Sequence, residues 1–71
     1  MGYTVRYKGL MSPRQIKRIR KILGLTQQAM ADLIGCRQHT VARWEGGEME
    51  PRGANLKLLR ELAEKAKRKR K

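Results

Sequence analysis

The 71-residue chain has one cysteine, one histidine and no phenylalanine. A lone cysteine, Cys36, excludes an internal disulfide and any multi-cysteine metal cluster, and it fits a reducing, cytoplasmic setting. The single histidine, His39, lacks the clustered carboxylates or further cysteines that a metal centre or an activated nucleophile needs. No catalytic template is complete, so neither an enzyme nor a cofactor is expected. The longest apolar run is three residues, against the ~20 that a membrane-spanning helix requires. No apolar stretch of signal-peptide type follows Met1, so secretion is not expected either. Acidic residues are also scarce: six Asp and Glu face 18 Lys and Arg, for a net charge of +12. Such a surplus points to an anionic partner, nucleic acid or lipid.

The surplus is not spread evenly. Residues 1–24 hold seven basic residues and no acidic ones, and residues 65–71 hold six basic and no acidic ones. Between them, residues 25–64 carry a net charge of −1. Any selectivity must come from this near-neutral centre. One domain of this size buries only ~60% of the surface its unfolded chain exposes, so its core has to be compact and well patterned.

Residues 3–8, Tyr-Thr-Val-Arg-Tyr-Lys, alternate apolar and polar positions with the period of a strand, and Gly9 ends the pattern. A single strand either pairs with a copy of itself or stays loose. The first helix has a strong start signal. Ser12 is the cap, Pro13 suits the first helical position, Gln15 completes a capping box, and Met11 and Ile16 occupy the staple positions. Ile16, Ile19 and Leu23 continue at helical spacing, and Gly24 stops the helix. Thr26 caps a second, short helix with Met30, Ala31 and Ile34 on its buried face, ended by Gly35. A third helix is predicted over 37–45, with Val41 and Trp44 as its apolar stripe and Gly46-Gly47 as its terminator. A fourth starts near Gly53 or Ala54, with Leu56, Leu59, Leu62, Ala63 and Ala66 toward the core. Glu61–Lys65 and Glu64–Arg68 are favourable i, i+4 pairs that extend it toward the basic tail. This helix has no aromatic residue and its apolar face is needed by the core, which argues against a lipid surface as the partner. The expected organisation is an N-terminal arm (1–11), a helical domain (12–64) and a basic tail (65–71).

Two short helices around a tight glycine turn make a helix-turn-helix. In that arrangement the second helix enters the major groove and its early side chains meet base edges. Arg37, Gln38, His39 and Arg43 suit that task, and no acidic residue interrupts 37–44. The start of the preceding helix has free N–H groups that are able to hold a phosphate, with Gln27 and Gln28 as uncharged donors beside them.

Residues 23–51 resemble the Cro and phage-repressor type of helix-turn-helix, the XRE family. The matching elements are Thr26-Gln27, Ala31, Gly35, Thr40-Val41, Arg43-Trp44-Glu45, Gly47 and Pro51. The stretch W-E-G-G-x-x-x-P-R-G-A-x-L-K-L-L, residues 44–59, further resembles antitoxin regulators of the MqsA/YgiT and HigA types. The zinc domain frequent in MqsA-type proteins does not carry over, because its paired C-x-x-C motifs are missing. The resemblance implies an all-α fold, a small helix bundle of the lambda-repressor-like DNA-binding type with a short N-terminal strand or arm. It implies a phosphate contact from Gln27, and it places Gln38, His39 and Arg43 at recognition-helix positions that meet base edges or nearby phosphates. By their own positions and side chains, Gln28, Arg37, Thr40 and the basic residues of the first helix are expected to contact phosphate as well. The resemblance also implies an ion pair between Arg20 and Glu45. Position 37 departs from the family, which usually has a capping Ser or Thr there. The partners implied are double-stranded DNA, a second copy of the chain and, for an antitoxin, a toxin protein.

Bland roles stand beside these. His39 and Gln38 also suit a solvated helix surface, and Gln27 suits a cap. Arg43 suits a surface ion pair with a neighbouring Glu, and Arg20 a phosphate contact. The basic tail suits long-range steering without fixed contacts. Trp44 and Cys36 are expected in or near the core.

Overall fold

Ser12 opens the first helix in the way its sequence context requires. Its hydroxyl accepts from the Gln15 N–H at 3.2 Å, and its own N–H donates to Gln15 Oε1 at 2.9 Å, a complete capping box. The computed structural model describes residues 11–70, the side chain of Arg70 excepted. The alternating segment 3–8 and most of the N-terminal arm lie outside the described residues, as does Lys71.

Four helices follow in chain order: α1 (Pro13–Ile22), α2 (Gln27–Ile34), α3 (Gln38–Gly46) and α4 (Gly53–Arg70). Among the described residues there is no strand, so the fold is all-α. Thr26 caps α2 by accepting from the Ala29 N–H at 3.0 Å. Gly35 ends it at φ 90°, where its N–H and that of Cys36 both donate to the Ala31 carbonyl. A Cβ on Gly35 would meet nothing within 4 Å. Glycine is needed there for backbone conformation, not for space.

The third helix differs from its predicted limits at both ends. Arg37 is the cap rather than the first helical residue, and it makes no side-chain capping bond. Gly46 is helical, and Gly47 alone turns left-handed, at φ 82°. Glu48 N–H then donates to the Arg43 carbonyl at 2.9 Å, which closes the helix end.

The core gathers Ile16 and Ile19 from α1, Met30, Ala31 and Ile34 from α2, Val41 and Trp44 from α3, and Leu59, Leu62 and Ala66 from α4. Full burial of the Ile, Met, Val and Leu side chains among them contributes ~1.5–3 kcal/mol each. Leu56 is only half-buried, and Ala63 packs at the edge of the cluster. Pro51, legible in the sequence only as loop punctuation, is fully buried. The α2–α3 packing is the most extensive, and α1 lies against both α3 and α4. Burial of Ala66 keeps α4 on the body well into the basic stretch.

Candidate nucleic-acid interface

The site is built on α3. Val41 and Trp44, at i and i+3, face inward with 0% and 1% of their surfaces exposed. That fixes the rotation of the helix. Gln38, His39 and Arg43 are then exposed on the other side, with the half-buried Ala42 between them. Ala42 was not singled out from the sequence. Its position on this face follows only from which residues α3 buries, and its methyl is small enough to let the chain approach a partner closely. Thr40 is half-buried at the edge of the same helix, and Arg37 is exposed at its start.

The two helices of the motif are tied by side chains as well as by the core. Gln38 Nε2 donates to Gln27 Oε1, and Gln27 Nε2 donates to Glu45 Oε1 at 3.2 Å. Glu45 also accepts from Arg20, through Nε at 2.7 Å and Nη2 at 3.1 Å. Arg20 Nη1 reaches the Leu25 carbonyl at 3.1 Å. A two-pronged guanidinium–carboxylate contact therefore joins α1, the turn before α2 and α3. It is largely sequestered, with the side chains 15% and 6% exposed.

Burial pushes the Glu45 carboxyl pKa up. The hydrogen bonds from Arg20 and Gln27, and the charges of Arg20 and Lys17, outweigh it and hold the group below its ordinary value. The hydrogen bond to Glu45 raises the Arg20 pKa, burial opposes this, and the Glu45 charge adds to it. Both groups are charged at neutral pH.

The remaining candidates have looser surroundings. Gln28 is exposed and donates to Asp32 Oδ1 at 2.9 Å, one turn along α2. Arg43 Nε lies 4.0 Å from Glu48 Oε1, with the side chains 54% and 72% exposed. An exposed pair at that distance holds neither side chain firmly. Cys36 is half-buried against the core, and burial raises its thiol pKa. Among the described residues no three His, Cys, Asp or Glu side chains gather closely enough to hold a metal. No helix there is long and apolar enough to cross a membrane.

Four of the basic residues of the first helix, expected from the sequence to contact phosphate, share one face. Arg14, Lys17, Arg18 and Lys21 are all exposed and fall at i, i+3, i+4 and i+7, which places them on one stripe opposite Ile16 and Ile19. None of the four makes an ion pair within 4 Å among the described residues.

A helix-turn-helix family model, of the Cro/C1 type, matches residues 16–65, which include α2, the glycine turn and α3. The chain belongs to this helix-turn-helix family. No curated protein matches the sequence. Domains of this family are DNA-binding regulatory domains and not enzymes. The chain is thus a DNA-binding regulator of the XRE type.

Proposed function

We propose that the chain is a sequence-specific transcriptional repressor that lays α3 in the major groove of double-stranded DNA and works in the cytoplasm as a homodimer. The observation that carries this reading is the exposed face of α3. Gln38, His39 and Arg43 present hydrogen-bonding groups on a helix whose opposite side is locked into the core by Val41 and Trp44. Gln38 pairs with adenine and Arg43 with guanine through two hydrogen bonds each, and His39 meets a neighbouring base edge. Gln27, Gln28, Arg37 and Thr40 contact phosphate around the groove. Arg14, Lys17, Arg18 and Lys21 add backbone contacts or steering from α1, and the basic end of α4 adds steering. One domain offers few contacts, so two copies read two half-sites about one helical turn apart.

Selection of bound sites from random DNA tests this. A two-fold symmetric consensus is expected, and an unenriched pool would sink the proposal. The double substitution Gln38→Ala, Arg43→Ala is expected to remove discrimination between sequences while weak, salt-sensitive binding survives. If removal of 65–71 abolished binding instead, the basic end and not α3 would be the binding element.

A second reading is that of an antitoxin, which holds a toxin protein and also represses its own operator. Its support is the resemblance of residues 44–59 to antitoxin regulators. A toxin-type reading frame beside the gene, whose product forms a stable complex with this chain, would favour it.

A further inference from the structure

The hydrogen bonds that run from Glu45 to the surface of α3 have a direction. An ionised carboxylate only accepts. Glu45 takes two hydrogen bonds from Arg20 and one, at 3.2 Å, from Gln27 Nε2. Gln27 must therefore turn its NH2 toward Glu45, which points its carbonyl oxygen the other way. That oxygen accepts from Gln38 Nε2. Gln38 in turn has one N–H committed inward, and it keeps one N–H and its carbonyl for an outside partner.

This outward pair, one donor and one acceptor, complements adenine, which shows an N7 acceptor and an N6 donor in the major groove. Guanine shows two acceptors there, N7 and O6. A reversed Gln38 amide would offer its two N–H donors outward and would suit guanine better. The choice between the two depends on which end of the amide faces Gln27, and Glu45 imposes that end two side chains away.

We propose that Glu45 is a specificity-positioning residue: through Gln27, its carboxylate fixes the amide polarity of Gln38 and so favours adenine over guanine at the base Gln38 reads. This rests on the reading that Gln38 reaches a base edge. The Glu45 carboxylate is well placed for the task. It is 6% exposed and is clamped by a guanidinium that is itself anchored to the Leu25 carbonyl. Gln27 is half-buried, so water competes only partly for its amide.

The test is selection from random DNA with the wild-type chain and with Gln38→Ala, Gln27→Met and Glu45→Gln, each checked for folding by a thermal melt. Gln38→Ala locates the base pair by losing the adenine preference there. In Gln27→Met the Gln38 amide is free to turn over. Its adenine-to-guanine ratio at that position should fall toward unity from the roughly 5- to 150-fold of a good two-bond contact. Overall affinity falls too, since Gln27 also faces the backbone, so the readout is that ratio relative to the other positions. Glu45→Gln can accept or donate, and it should narrow the ratio in the same way. If loss of the buried charge prevents that variant from folding, Gln27→Met can still overturn the proposal, because an unchanged ratio there breaks the path from Glu45 to Gln38. A wild-type ratio in folded Gln27→Met would overturn the inference, as would equal weakening at every position or an adenine preference that survives Gln38→Ala. An unenriched wild-type pool would instead remove the reading beneath it.

Discussion

The two helices of the motif begin differently. At the start of α2, Thr26 accepts from the Ala29 N–H, and the helix goes on to bury three residues in the core. At the start of α3, Arg37 makes no side-chain cap and adds a positive charge to the positive end of the helix. The missing cap costs about 1 kcal/mol, and the like charge costs up to another ~1 kcal/mol. If Arg37 contacts phosphate as proposed, the bound anion would reverse the sign of the second cost. The contrast separates a helix start capped by its own side chain from one that is not.

The largest expected effect tests what holds α3 against α2. Trp44→Ala removes the largest fully buried side chain and should cost ~3–5 kcal/mol, a large part of a small domain's stability. The variant should lack a cooperative thermal transition, and a native-like melt would refute the core role. Arg20→Met leaves the Glu45 charge without its partner and should cost ~3–5 kcal/mol, read by urea unfolding.

Acid should act on the same pair. The folded Glu45 carboxyl lies below its ordinary value of about 4.5. Its contribution is therefore complete above that value and is lost as pH falls from there through the folded pKa. The Arg20 pKa is raised, so that side chain stays charged throughout this range and adds no slope of its own. Thermal midpoints measured between pH 7 and 3 should hold and then drop below about 4.5. A midpoint flat across that range would show that the pair adds nothing to stability.

The smallest effects sharpen the contrast between the two helix starts. Thr26→Ala should destabilise by about 1 kcal/mol, whereas Arg37→Thr should stabilise by a similar amount. Arg37→Thr should also weaken DNA binding and lower the log–log salt slope by about 0.9, the loss of one phosphate contact. Unchanged stability in Arg37→Thr, with an unchanged slope, would erase the distinction.

Much of this was legible because it is local. Ser12, Gln15, Thr26, Gly35 and Gly47 act on backbone groups within a few residues of themselves, so their types and spacing are enough to place the helix ends. Val41 and Trp44 announce the buried side of α3, and with it the exposed side that carries Gln38, His39 and Arg43. The one-residue shift of α3 reflects its weak signals. Arg37 carries no capping group, and Gly46 and Gly47 compete for the terminator. Pro51 shows no periodicity, so its burial depends on what the loop packs against.

Helix order, caps and the polar face of the third helix were thus determined by the sequence, because short-range sterics and hydrogen bonding decide them. Only the tertiary structure decided how Gln27 is used. In the sequence it is one glutamine in a helix start. In the fold it lies between a buried carboxylate 18 positions later and a surface amide 11 positions later. Side-chain hydrogen bonds across such distances depend on helix crossings that no local pattern encodes. Which end of the Gln38 amide faces Gln27 is settled there, in the packing of α1, α2 and α3 around Glu45.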